Sequence, residues 1–203
     1  MKSLSEIDTV SKRASKASGY SWGEAEEIGK NIRLLELFGL PGLKNINSFF
    51  KLKQKQKFEH LRLLSQLNKS QKYQLCPITI GIGLMDQIKN LEKFENISFA
   101  NVSHPLLFLP FASRASEIIG KRIFVKMDDK DFLLNFNLNI YSNFLKNEII
   151  TDCKLITAKI IDNFDTFSEL EWAEIYKLSE NTFVDESDSL KNTSAGAGLT
   201  DND

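Results

Sequence analysis

The residues with the clearest chemical potential stand toward the two ends of the chain. The last stretch reads Ser194-Ala195-Gly196-Ala197-Gly198-Leu199-Thr200-Asp201-Asn202-Asp203. Gly196 and Gly198 admit positive φ and close approach to another surface. Successive amides in such a turn form an anion-binding nest. Thr200, Asp201, Asn202 and Asp203 add oxygen ligands and negative charge. On composition alone, a solvated acidic terminus is the plainer reading. Toward the other end, Trp22, Glu26, Glu27, Lys30 and Arg33 lie close in sequence. A helix places Glu26, Lys30 and Arg33 on one face through i, i+4 and i, i+3 spacing. That face is either an ion-paired surface or one wall of a binding site.

Other chemically capable groups stand singly. His60, between Glu59 and Leu61 on an expected helix, reads as a surface residue. His104 precedes Pro105, which biases its backbone toward an extended conformation. A general base is open there, but no partner stands at a recognisable spacing. The sequence has no HxxxH, HxH or Cys/His pairing, so it writes no metal box. Asp128, Asp129 and Asp131 form an acidic turn without the ligand series of a calcium loop. Ile80-Gly81-Ile82-Gly83-Leu84-Met85-Asp86 contains a GxG, but Asp86 stands where a dinucleotide loop needs its third glycine. A bend or close backbone packing explains those glycines better. Arg114 either holds a carboxylate or phosphate or forms a surface salt bridge. Cys76 and Cys153 read as buried reduced thiols ahead of a long-range disulfide or a catalytic thiol.

The elements that must position these groups begin with helices. Ser3-Leu4-Ser5-Glu6 and Ser21-Trp22-Gly23-Glu24 have capping-box spacing. Leu4, Ile7, Val10, Ala14 and Ala17 form one apolar stripe; Ala25, Ile28, Ile32, Leu35 and Phe38 form a second. The two helices are expected to pack as an antiparallel pair, stopping at Gly19 and Gly39. Ile46, Phe49 and Phe50 suggest a short third helix, and Lys51, Lys53, Lys55 and Lys57 a solvated connector, with a phosphate-binding patch as the alternative that no arginine or interleaved aromatic supports. Phe58, Leu61, Leu64 and Leu67 suggest a further helix.

After Tyr73 the pattern changes. Ile78, Ile80 and Ile82 alternate with Thr79, Gly81 and Gly83, which favours a strand, although a glycine-bearing helix through Met85 and Ile88 stays open. Phe111 to Ile119 is expected to be helical, ending at Gly120. Arg122 to Lys126 and Cys153 to Ile161 read as strands, and Phe132 to Ile140 as one long strand with a buried face. Ser168-Glu169-Leu170-Glu171 is a third capping box, opening a helix with Trp172, Ile175 and Tyr176 inward.

Composition narrows the function. Lys and Arg number 26 against 27 Asp and Glu, a net charge of −1, without the basic excess a general nucleic-acid binder needs. No apolar run approaches the about 18 residues that span a bilayer, and the first residues lack the apolar core of a secretory signal. The expected location is cytoplasmic. The expected partner is a small metabolite or another protein rather than nucleic acid or membrane.

The tail text resembles the carboxyl terminus of an uncharacterised bacterial family of similar length, catalogued as a domain of unknown function. That family ends in Gly-Ala-Gly-Ala-Gly-Leu-(Thr/Ser)-Asp-Asn-Asp, after a Thr-Tyr-Val-Pro-Ala-(Ser/Thr)-Glu-x-Ser-Arg element. Here Thr182, Val184 and Ser187 match, while Phe183, Asp185, Asp188 and Lys191 replace Tyr, Pro, Glu and Arg, and Ser194 replaces the first glycine. Trp22-Gly23, Ala25-Glu26-Glu27, Gly29-Lys30, Arg33, Gly39-Leu40-Pro41-Gly42, Cys76-Pro77 and the Leu107 to Phe111 segment extend the likeness. The resemblance implies an ordered tail that enters a cleft of its own domain or of a partner. It implies no activity and no cofactor.

Together these readings predict an α+β fold, with N-terminal helices beside a mainly antiparallel sheet and further helices after Phe111 and Ser168. One domain spans 1–203, made of a helical region (1–70), a mixed sheet-and-helix region (71–181) and a tail (182–203). The expected function is binding or modifying a small metabolite. Its site would be lined by the tail, Ser187, Asp188, Lys191 and the Trp22, Glu26, Glu27, Lys30 and Arg33 face. Carboxylate acid–base chemistry would serve if the protein is an enzyme. The alternative is an accessory subunit whose tail docks on a partner enzyme.

Overall fold

The computed structural model describes residues 2–136, 139–144 and 147–183. The chain divides into two compact units, Met1–Asn163 and Phe164–Asp203. The first unit runs α1 (Leu4–Ala17), α2 (Trp22–Leu37), α3 (Gly42–Lys53), β1 (Leu67–Lys69), α4 (Pro77–Leu91) and β2 (Asn96–Ser103). A 3-10 turn (Pro105–Phe108) leads into α5 (Leu109–Ile119), followed by β3 (Arg122–Met127), β4 (Lys130–Asn135), β5 (Asn139–Ser142) and β6 (Asp152–Ile161). The second unit holds α6 (Glu169–Ser179) and a short 3-10 turn (Glu180–Thr182). This is the expected α+β fold.

The three predicted capping boxes all form. Ser3 Oγ accepts from the Glu6 amide at 3.2 Å while the Glu6 carboxylate accepts from the Ser3 amide at 2.8 Å. Ser21 and Glu24 repeat those distances at the start of α2. Ser168 and Glu171 form the same reciprocal pair in α6. Each box satisfies amides that a helix start leaves without an intrahelical partner.

α1 and α2 pack antiparallel, but α1 presents a different face from the one its apolar stripe suggests. Ile7, Ser11 and Ser15 are buried, whereas Val10, Ala14 and Ala17 are exposed. Small serines face inward because the helices approach too closely for larger side chains. A Cβ on Gly29 would stand 2.6 Å from Asp8 Oδ1 and 2.8 Å from the Asp8 carbonyl. The α2 stripe is as expected: Ala25, Ile28, Ile32 and Leu35 are fully buried.

The sheet has six strands in the order β1-β2-β6-β3-β4-β5. β1 runs parallel to β2 and every other pairing is antiparallel. Ile97, Phe99, Ile123, Val125, Phe132, Leu134, Ile156 and Ala158 form its buried face, against which α4 and α5 pack. The opposite face carries Lys126, Lys154, Leu155 and Lys159 in the open.

Four local expectations are corrected. Residues 78–82 belong to α4, not to a strand. Pro77 sits at the first helical turn, and Gly81 exists for packing, since a Cβ there would lie 2.3 Å from the Phe111 ring. Phe132 to Ile140 is a hairpin rather than one strand: Phe136 takes φ 54° after the end of β4, and β5 pairs back antiparallel from Asn139. The stretch from Phe58 to Leu67 is not a helix. Instead, Glu59 bridges to Leu75 and β1 starts at Leu67. Lys51 and Lys53 close α3 rather than opening a connector, and Lys53 donates to the Ser18 carbonyl at 2.8 Å.

In α6 the expected inward side chains are exposed. Leu170, Trp172, Ile175, Tyr176 and Leu178 all lie open, and Trp172 stacks on Phe167 with ring centroids 5.7 Å apart. The capping box and local stacking define this helix without burial of its apolar side chains.

Candidate functional site

β2 ends in an irregularity that builds the site. Asn101 adopts φ 58°, which asparagine tolerates better than most residues. The side-chain alternation resets there: Ile97 and Phe99 point inward, and then Val102 and Ser103 are both buried. His104 follows with φ 44° and ψ 59°, left-handed backbone rather than the extended conformation expected before Pro105. Strain of this kind costs on the order of 1–3 kcal/mol and persists only where surroundings impose it.

Those surroundings are specific. The His104 amide donates to the Thr151 carbonyl at 2.9 Å, and its own carbonyl accepts from Leu107 at 3.0 Å. Nδ1 lies 2.8 Å from Ser103 Oγ, and Nε2 lies 2.9 Å from Ser48 Oγ on α3. The imidazole meets the Phe49 ring edge-on at 5.6 Å, and Phe49 leans on Phe58 at 5.0 Å. Only 1% of His104 is exposed. Burial pushes its pKa down to about 4, against the opposing pull of the Asp152 charge, so the ring is neutral at physiological pH. One nitrogen of a neutral imidazole donates and the other accepts.

β6 supplies the remaining wall. The antiparallel register pairs Ser103 with Asp152. Asp152 accepts from Thr151 Oγ1 at 2.7 Å and from Gln74 Nε2 at 2.6 Å, and these bonds hold its carboxyl below the usual range. Gln74 is positioned by the bridge of Leu75 to Val102. A cleft of about 350 Å³ opens over this group, lined by Ser48, Lys51, Lys55, Gln74, His104 and Asp152 among others. Lys51 lies one turn beyond Ser48 on α3, so both face the same space. The cleft thus presents a neutral imidazole, a half-buried hydroxyl, two ammonium groups at the rim and one carboxylate.

The sequence-predicted α2 group is placed differently. Lys30 pairs with Glu26 at 3.2 Å and with Glu27 at 3.3 Å. Arg33 reaches across to Asp8 at 3.8 Å. Trp22 is largely exposed, with the Lys16 ammonium 5.5 Å above its ring. Arg114 on α5 binds the Glu27 carboxylate and lies 3.4 Å from Asn31 Oδ1. Burial alone would raise the Glu27 carboxyl; the hydrogen bond and charge of Arg114, with help from Lys30, hold it below its ordinary value. The face is therefore knit by ion pairs, and Arg114 holds a carboxylate of its own chain. Ser187, Asp188, Lys191, Gly196, Gly198, Thr200, Asp201, Asn202 and Asp203 lie outside the described residues.

His60 is exposed, as expected, but sits in the segment after α3 rather than on a helix. It borders a second cleft of about 410 Å³ with Glu24, Arg62, Thr79 and Asp86. Both cysteines are free and buried. Burial raises both thiols, Cys153 to about 12, so neither is a ready nucleophile. The carboxylate of Asp128 accepts from the Lys154 and Leu155 amides at 3.1 Å each, so it is engaged with the backbone.

Sequence reasoning misses Ser48, Ser103, Gln74, Thr151 and Asp152. Ser48 and His104 are 56 residues apart, and no local spacing announces their meeting. The one available signal is His104-Pro105 itself, a polar residue at an element boundary.

Residues 2–75 match the model of a family described as a protein of unknown function (DUF3726). The match covers α1, α2, α3 and β1, and so includes the cleft wall that carries Ser48, Lys51, Lys55 and Gln74. His104 and Asp152 lie beyond the matched segment. No curated protein and no solved structure matches the chain. No helix among the described residues is long and apolar enough to cross a membrane.

Proposed function

We propose that this protein binds a small anionic metabolite in the His104 cleft. The single observation that carries the reading is the buried, strained and doubly hydrogen-bonded His104 at the floor of an open cleft. Strained backbone clusters at functional sites, and at His104 it coincides with a buried imidazole under an open cleft. Lys51 and Lys55 supply positive charge for a carboxylate or phosphate, and Ser48 and Gln74 supply neutral polar groups. The ion-paired α2 face has its charges already matched, which makes it the weaker candidate.

Calorimetric titration with inorganic phosphate and with short mono- and dicarboxylates tests this reading. Saturable binding is expected, and Lys51→Ala with Lys55→Ala weakens it at least tenfold without changing the melting temperature. Affinity unaffected by both substitutions contradicts it.

The carboxyl-terminal residues Ser187, Asp188, Lys191 and Gly196 to Asp203, which combine a glycine-rich amide run with oxygen ligands and negative charge, form a separate proposal as the lining of a site. Under it, deleting 194–203 lowers ligand affinity or thermal stability. The accessory-subunit reading keeps docking on that same tail: under it, deleting 194–203 removes a stoichiometric partner enzyme and leaves anion binding and the melting temperature unchanged.

A further inference from the structure

Ser48, His104 and Ser103 form a hydrogen-bonded chain that ends in the open cleft. We propose that the cleft carries out acyl transfer, hydrolysing small carboxylic esters or thioesters that bear an anionic group, with Ser48 as the nucleophile and His104 as the base. The inference rests on the binding reading and names its substrate class.

The geometry assigns the roles. Nε2 is 2.9 Å from Ser48 Oγ, within reach for proton transfer. In the tautomer this requires, Nδ1–H donates to Ser103 Oγ at 2.8 Å, which fixes the ring and makes Ser103 a positioning residue. Ser103 is fully buried, whereas Ser48 is half-buried and lines the cleft, so of the two only Ser48 is open to substrate. The left-handed backbone of His104 and the edge contact with Phe49 aim the imidazole at α3. Nucleophile, base and orienting group in hydrogen-bonded series make up the pattern of an activated hydroxyl.

The steps balance with water as the second reactant. Ser48 Oγ bonds to the ester carbonyl carbon, and its proton passes to Nε2. The carbon–oxygen or carbon–sulfur bond to the leaving group breaks, and the leaving group takes the proton from Nε2. Water then adds to the acyl carbon and gives a proton to Nε2. The acyl–Ser48 bond breaks, Oγ recovers the proton, and a carboxylic acid is released. Lys51 and Lys55, in the lining of the same cleft, supply positive charge for the oxyanion, and the Asp152 charge favours the transient imidazolium.

The test treats the full-length chain with a fluorophosphonate probe and with 4-nitrophenyl acetate, and measures phosphate binding by calorimetry in parallel. The expected result is one adduct per chain, mapped to Ser48 and absent from Ser48→Ala. Acetate release should fall at least 100-fold in Ser48→Ala and in His104→Asn. Ser103→Ala is expected to retain the adduct at a slower rate, with an altered pH profile. Ser48→Cys keeps a nucleophile at the same position and is expected to regain turnover of a thioester. Phosphate binding without an adduct overturns acyl transfer and leaves the binding reading intact. An adduct elsewhere that survives in Ser48→Ala also overturns it. Neither binding nor adduct overturns both.

Discussion

Single residues carry the main electrostatic consequences. His104 is neutral in the folded chain because burial holds its pKa near 4, against 6.5 in an open environment. A depressed folded value means that the unfolded chain takes up the proton first as pH falls. The contribution is therefore complete above about pH 6.5 and is lost progressively down to about pH 4, a swing of about 3 kcal/mol. Among the described residues, the charged side chains lining the cleft over the ring are Lys51 and Lys55, at the end of α3 and just beyond it, and Asp152 on β6, of which Asp152 acts on the charge of the ring. Urea unfolding at pH 7 and pH 4.5 should show this loss, and His104→Asn should reduce it. Arg114 sets the charge state of a second partly buried group. Removing its side chain leaves the partly buried Glu27 with Lys30 alone. Arg114→Ala is expected to cost about 1–3 kcal/mol and to raise the Glu27 carboxyl toward its ordinary range, as carbon-detected NMR titration would report. Glu27 is depressed, so the stability it contributes is present at neutral pH and is lost as pH falls through its folded value.

Helices and strands differ in how openly the sequence declares them. The capping boxes at Ser3, Ser21 and Ser168 are legible because a local side chain meets a local amide. The inward face of α1 is not, because it is set by how closely α2 approaches rather than by hydrophobicity. Two glycines of α2 should therefore respond to substitution in opposite ways. A Cβ at Gly29 meets Asp8 backbone at 2.8 Å, whereas a Cβ at Gly23 meets nothing within 4 Å. Gly29→Ala should destabilise by about 1–3 kcal/mol through overpacking. Gly23→Ala should be neutral or stabilise by up to about 1 kcal/mol, through helix propensity alone. Thermal unfolding of the two variants side by side checks both signs. The period-2 isoleucines of 78–82 mislead for a related reason. Gly81 belongs to a helix pressed against Phe111, and alternation over a few residues cannot separate that from a strand. The hairpin between β4 and β5 is hidden because Phe136, a residue with no turn preference, takes positive φ where β4 ends.

At the scale of the whole molecule, the α+β class is legible because helical spacing runs from residue 4 to 53 and strand alternation dominates from 122 to 161, while α4 and α5 alternate with β1 and β2 between them. The site is legible only in part. His104 can be noticed, but its partners come from α3, from the Gln74 bridge and from β6, and only the fold assembles them. The charged α2 group is the easier one to notice because its spacing is local, and local spacing is what ion pairs on a helix surface also produce. The match to residues 2–75 takes in one wall of the cleft and stops before His104. Long-range proton–nitrogen correlation spectra of the histidine rings, recorded through a titration with inorganic phosphate and with acetate, test the role of the His104 cleft most directly. A neutral His104 ring is expected at pH 7, with Nε2 and Nδ1 signals that shift saturably, in step with calorimetric binding. Saturable binding that leaves the His104 signals unmoved would contradict that role, as would a His104 that titrates near its ordinary value.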